Sequence, residues 1–225
     1  MLSDWTILKS NPSNIECGIT TITPFLGSGS LRIKDNAATN LNMYSNLYTP
    51  GLTRGRMRML IRITAQGGTS NYRTGFYFQS NDSSLVSGAT QTFYSAHLRL
   101  TSSLTARRFA VSHFTGGIGG TETVLFLSSL ISTMTNGVSV LPLEVTWEQE
   151  SELAGVKIIL KGSIIGNSTL TDFSNMIPLS TMIVANPPYV INGSVSEGVY
   201  YYGGSSAGGS EIEYDSVSIY SQTPI

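Results

Sequence analysis

Three acidic residues near the end of the chain, Glu211, Glu213 and Asp215, are spaced i, i+2, i+4. Side chains on a β-strand alternate between faces, so all three would project to one side. Two carboxyls on one face are the raw material of glycoside hydrolysis, and a retaining enzyme holds them about 5–5.5 Å apart. Further upstream, Glu144, Glu148, Glu150 and Glu152 surround Trp147, and Arg54, Arg56, Arg58 and Arg62 crowd one short run. Gly204-Ser205-Ser206-Ala207-Gly208 has the G-x-S-x-G spacing of a serine nucleophile on a strained turn. These are the residues whose types and spacing could do chemistry.

Tested against the geometry each reaction needs, the catalytic readings fail. The acidic triplet superficially resembles the E-x-D-x-x-E of sandwich glucanases, but the sixth position is Ser216. It reads as a solvated strand face, with an interface or cation contact as the alternative. The G-x-S-x-G match lies in a glycine-rich stretch leading into another strand, not a helix, and both histidines precede the serine. His97 and His113 read as packed or surface residues and Cys17 as a buried small hydrophobe. One cysteine and two histidines exclude a disulfide framework and the common structural zinc patterns. No catalytic, cofactor or metal residue is assigned, and the chain is read as a non-enzyme. Asn81-Asp82-Ser83, Asn167-Ser168-Thr169 and Asn192-Gly193-Ser194 match the glycosylation pattern, which has no meaning without secretion.

What remains are contact residues. Arg54, Arg56, Arg58 and Arg62 share one face of a regular strand. They suit either cross-strand pairing with Glu or Asp or docking to an acidic protein surface. Alternation sets Glu144, Thr146, Glu148 and Glu150 on one face and Val145 and Trp147 on the other, with Trp147 expected in the core. The glutamates are then a solvated face or partners of the arginines. Tyr200, Tyr201 and Tyr202, with Tyr44 and Tyr48, offer aromatic anchors for an interface, with core packing the default for about half of them. Candidate interface residues are therefore Arg54, Arg56, Arg58, Arg62, Glu144, Glu148, Glu150, Tyr200, Tyr201 and Tyr202.

The elements that must position these residues are strands. Arg56–Thr64, Tyr72–Gln79, Thr92–Leu100, Arg108–Phe114, Glu122–Leu127, Leu143–Glu150, Val156–Lys161, Val195–Tyr202 and Glu211–Tyr220 are short β-type runs. Met57, Met59, Ile61 and Ile63 alternate with Arg56, Arg58, Leu60 and Arg62. Turn signals such as Asn136-Gly137 and Gly116-Gly117 separate the runs. Leu127–Met134 and Leu170–Met176 could each form two helical turns or less. The expected core includes Ile61, Ile63, Phe78, Leu98, Val145, Trp147, Ile158 and Leu160. Many short punctuated strands predict an all-β, two-layer antiparallel sandwich with minimal helix, formed by residues 1–225 as a single domain. Leu31–Ile33 should lie beside the closing strand Ile212–Ile219.

Composition narrows the function classes. Of 225 residues, 32 are Ser, 24 Thr and 23 Gly, and only 12% are charged. Net charge is −1, so no basic excess exists to neutralise phosphates and no nucleic-acid partner is expected. No stretch approaches 18 apolar residues, so no membrane span is expected, and the N-terminus shows no signal peptide. Residues 1–112 hold 11 Lys/Arg and 4 Asp/Glu, residues 113–225 hold 2 and 10, and all nine arginines fall between Arg32 and Arg108. Either the two halves interleave and the charges mix, or two surfaces of opposite sign suit ring assembly.

Three segments together resemble the concanavalin A-like (laminin G-type) jelly roll: Gly27–Ile33 (GSGSLRI) as an early strand, Leu143–Glu150 with Gly155–Leu160 as a hairpin of long strands, and Glu211–Tyr220 as the closing strand. The family's calcium-binding Asp/Asn constellation is not recognisable. The composition is similar to that of virion proteins of tailed bacteriophages. What that resemblance implies is a capsid cement or decoration protein, made in the host cytoplasm and located in the virion. It would bind the major capsid protein or another virion protein as a homo-oligomer, with a trimer favoured. The alternative is a carbohydrate-binding module or receptor-binding tail or fibre domain, with a glycan as partner.

Overall fold

The computed structural model describes residues 6–9, 15–21, 28–36, 41–47, 54–67, 72–81, 91–100, 106–131, 134–151, 155–163, 173–174, 176–184, 196–203 and 209–221. Among them the regular elements are all strands: β1 (Thr6–Lys9), β2 (Ile15–Thr20), β3 (Ser30–Asp35), β4 (Leu41–Leu47), β5 (Arg54–Ala65), β6 (Tyr72–Ser80), β7 (Thr92–Leu100), β8 (Arg107–Thr115), β9 (Thr121–Leu127), β10 (Val140–Ser151), β11 (Gly155–Gly162), β12 (Ile177–Val184), β13 (Ser196–Gly203) and β14 (Glu211–Ser221). They form two seven-stranded antiparallel sheets. Sheet A has the order β1-β4-β13-β6-β7-β8-β9, and sheet B the order β12-β11-β10-β5-β14-β3-β2.

The core between the sheets follows from alternation. Met57, Met59, Ile61 and Ile63 of β5, Leu143, Val145 and Trp147 of β10, and Ile158 and Leu160 of β11 face inward from sheet B. Tyr72, Phe76 and Phe78 of β6, Tyr94, Ala96, Leu98 and Leu100 of β7, and Val199 and Tyr201 of β13 meet them from sheet A. All eight core residues expected from the sequence are buried here. Phe78 stacks on Trp147 across the sandwich at 4.8 Å between ring centroids and on Tyr94 at 5.9 Å, which joins the two sheets through aromatic contact.

The closing strand β14 lies inside sheet B between β5 and β3, with Ile212 opposite Ile33 and Tyr214 opposite Leu31. The strand beside it is thus the third in chain order; β1 belongs to the other sheet, paired with β4.

The two expected helical segments are not helical where they are described. Leu127 ends β9, and the chain after it still borrows acceptors from β8: Ser128 N–H donates to Phe109 O at 2.9 Å and Ile131 N–H to Arg107 O at 2.8 Å. Those donors would otherwise be free for helical bonds. Phe173 and Ser174 form a bend and turn, with Phe173 packed on Leu60 and Val140. Pro178, just beyond the second segment, sits in β12, an edge strand that tolerates a missing backbone donor.

Candidate functional site

The arginines of β5 do share the outer face of sheet B, and their charge is used within the chain. Arg54 pairs with Glu148 and Arg56 with Glu144, whose other oxygen takes Lys161 at 3.3 Å. Arg62 donates through Nε to Glu213 Oε2 at 2.9 Å, and Arg32 pairs with Glu211 at 2.7 Å. Arg58 bonds Ser218 and Tyr220, both at 3.3 Å, and lies 4.6 Å over the Phe173 ring. Antiparallel pairing sets first-half strands beside second-half strands, so the opposite charges of the two halves meet inside sheet B. Glu211 and Glu213 take arginines in this way, and Glu213 is buried rather than part of a solvated face, while Asp215 accepts from Ser30 Oγ at 3.2 Å. The side chain of Glu150, and all of Glu152, Tyr48, Trp5 and the Gly204–Gly208 motif, lie outside the described residues.

The three tyrosines of β13 do not form one surface. Alternation sends Tyr201 into the core, where its hydroxyl donates to Asp35 Oδ2 at 3.0 Å, and sends Tyr200 and Tyr202 to the outer face of sheet A. Tyr200 is itself fully buried there; Tyr202 is half-buried.

Among the described residues, that outer face holds the chemically richest group. It is assembled from Arg73 and Tyr77 (β6), Phe93, Ser95, His97 and Arg99 (β7), Ser112 and Phe114 (β8), Glu122 (β9), and Tyr200 and Tyr202 (β13). Phe93 stacks on Phe114 at 4.8 Å, and Tyr200 meets both rings edge-on. Over this aromatic floor Glu122 is a hub. Arg73 Nη2 reaches its Oε2 at 2.6 Å and Arg99 Nη1 the same oxygen at 3.5 Å, while Ser112 donates to Oε1 at 2.8 Å. His97 Nε2 stands 3.5 Å from Oε1, and its Nδ1 is 2.7 Å from Ser95 Oγ, which also accepts from Tyr200 at 3.3 Å. The Arg73 guanidinium lies over the Phe114 and Tyr202 rings at 5.4 and 5.1 Å. Gly75, opposite His97, makes this crowding possible, because a Cβ there would come within 2.3 Å of Ala96 O and 2.9 Å of His97 Cβ.

Burial lowers the His97 pKa, and the Glu122 contact only partly opposes it, so the ring is neutral near neutral pH. Burial alone would raise the Glu122 carboxyl; the His97 contact, Arg73 and the Ser112 hydroxyl outweigh it and hold the group well below the usual carboxylate range. Burial drives the Tyr200 phenol far above its ordinary value. Among the described residues, no group of three or more His, Cys, Asp and Glu side chains is placed to hold a metal ion.

No family model matches the sequence, and no characterised protein matches it by sequence. Solved structures match the fold. The architecture is a concanavalin A-like β-sandwich. An endo-β-1,4-glucuronan lyase from the fungus Trichoderma reesei superposes with a TM-score of 0.60 at 10% identity, covering 96% of this chain and 90% of that one. A legume lectin-like domain from Entamoeba histolytica gives 0.57 at 8% identity, with 99% and 92% covered. The exoplasmic/lumenal domain of VIP36, solved with Ca²⁺ and Man3GlcNAc, gives 0.54 at 9% identity, with 100% and 86% covered.

From the sequence His97 reads as a packed or surface residue and Glu122 as one member of a strand. The alternation of Ser95, His97 and Arg99 was a visible signal of a polar outer face on β7. What joins it to Arg73, Glu122 and Tyr200 is strand register.

Proposed function

We propose that this chain is a carbohydrate-binding domain and that the outer face of sheet A is its binding surface. The observation that carries this reading is the combination of aromatic rings and guanidiniums around Glu122, with Tyr202, Arg73 and Arg99 at its solvent-facing rim. Sugars offer an apolar ring face and a fringe of hydroxyls, which such a mixture of stacking surfaces and directed donors can match. Saccharide-related neighbours at fold level support it; none of those three is a virion protein. A receptor-binding role at a particle surface fits the same chemistry better than a cement role, since the β5 arginines already have partners within the chain.

Binding without turnover is the form we favour. His97, the group best suited to move a proton, is fully buried, with both ring nitrogens turned to Ser95 and Glu122. A glycan array followed by titration should find saccharide binding that Tyr202→Ala weakens about tenfold or more with the fold intact. Absence of binding at millimolar glycan would overturn the reading. Release of cleaved product from a bound polysaccharide would turn the binder into an enzyme.

A further inference from the structure

We infer that this same face is built for an acidic saccharide, a chain of uronate-type sugars, gripped by a row of arginines; the inference rests on the carbohydrate-binding reading above. The observation is one of register. Arg73, Arg99 and Arg108 are direct cross-strand partners on β6, β7 and β8, and all three are on the outer face. Tyr202 on β13 extends the row as the partner of Arg73. With strands roughly 4.8 Å apart, the three arginines start within about 10 Å of one another.

Like charges directly opposite each other on neighbouring strands destabilise a sheet. Sheet B shows the alternative arrangement, in which Arg54, Arg56 and Arg62 each have a carboxylate on an adjacent strand. Among the described residues, the ion pairs of the row on sheet A converge on Glu122, and Arg73 and Arg99 both reach the same oxygen of it. Arg108 donates to the backbone oxygen of Ser128 at 3.2 Å. Nε of Arg73 and Nε of Arg99 are buried without a hydrogen-bond partner. Arg73 and Arg99 thus share one carboxylate oxygen while Arg108 rests on a backbone oxygen, and what would complete the row is an acceptor with negative charge.

A planar carboxylate fits the guanidinium fork, and a uronate brings one such group on each ring together with an apolar face for Tyr202. A nucleic acid would need a wide basic surface to displace its counterions, and the chain carries a net charge of −1. Half-burial of Arg99 and Arg108 leaves both at the solvent boundary, where an extended chain can lie across the strands.

Calorimetric titration with polygalacturonate, heparin and a neutral cello-oligosaccharide tests the assignment on wild type, Arg99→Gln, Arg108→Gln and the sheet B control Arg58→Gln. Polygalacturonate should bind best. Each sheet A variant should weaken it at least tenfold, and Arg58→Gln should leave it unchanged. Melting temperatures of the sheet A variants should hold or rise, because removing one of a like-charged pair relieves repulsion; a purely structural arginine would lower them. Neutral sugar binding as tight as polygalacturonate, or folded variants that bind like wild type, would overturn the acidic assignment and leave the carbohydrate reading standing. Heparin binding far more tightly would replace the carboxylate with a sulfate and overturn the uronate. No saccharide binding at all would remove both readings.

Discussion

Gly55 and Trp147 show how a single missing side chain fixes a core. They are cross-strand partners on β5 and β10, and both face inward. A Cβ on Gly55 would lie 2.1 Å from Trp147 Cζ2, inside any tolerable contact. The indole occupies that space and is thereby held flat against Phe78. Gly55→Ala must push the largest ring of the core out of its stack. Overpacking of this kind costs about 1–3 kcal/mol, so urea denaturation should show a loss near the top of that range, with reduced near-ultraviolet circular dichroism from Trp147. An unchanged midpoint would mean that the indole has room to move. Trp147 itself was recognisable as a core residue from the alternation in LEVTWEQE. The need for a glycine opposite it was not, because nothing local in RGRMR announces which strand will arrive beside it.

At the scale of strands, the long one-sided elements and the edge strand β9 were legible, while β1, β2, β4 and β12 were not. β5, β10 and β14 each set apolar residues against charged ones with a period of two, and that pattern alone assigns both faces. β1, β2, β4 and β12 carry weaker alternation, and Pro178 lies within β12. β6, β7 and β8 are buried on much of both faces, so their outer residues look like ordinary core or polar filler. The candidate site needs five of these strands, drawn from residues 73 to 202, in a definite register. The pairing of Arg62 on β5 with Glu213 on β14 tests how such elements are held. Both side chains are nearly buried, at 10% and 2% exposure. Removing one partner strands the other charge, so Glu213→Ala should cost about 3 kcal/mol. Adding Arg62→Met should recover a substantial part of that loss, which a double-mutant cycle in denaturant would measure. Additive losses would show that the two groups stabilise the sheet independently.

Across the whole molecule, buried titratable groups set a pH window. Burial lowers the pKa values of His97 and His113 from 6.5. Unfolded chains therefore take up these protons before the native state does, so this stability is full above pH 6.5 and declines as pH falls below it. Glu122, depressed by its partners, adds a further loss as pH falls from 4.5 toward about 2. At the other end, burial raises the phenols of Tyr72, Tyr94, Tyr200, Tyr201 and Tyr214 well above 10.0. The unfolded chain releases those protons near pH 10 while the native state keeps them, and stability falls as pH rises past that point. Melting temperature should thus form a plateau between about pH 6.5 and 10, with shoulders on both sides. His97→Gln combined with His113→Gln should flatten only the acid shoulder.

The same phenols make the protein its own optical indicator. Phenolate absorbs at longer wavelength than phenol, and in the folded chain these five rings are sealed away from hydroxide. In an alkaline titration their colour change should not follow a smooth curve for free tyrosine. It should arrive in one step with loss of the β-sheet circular dichroism signal, so that an untagged, unlabelled sample reports the opening of its own sandwich.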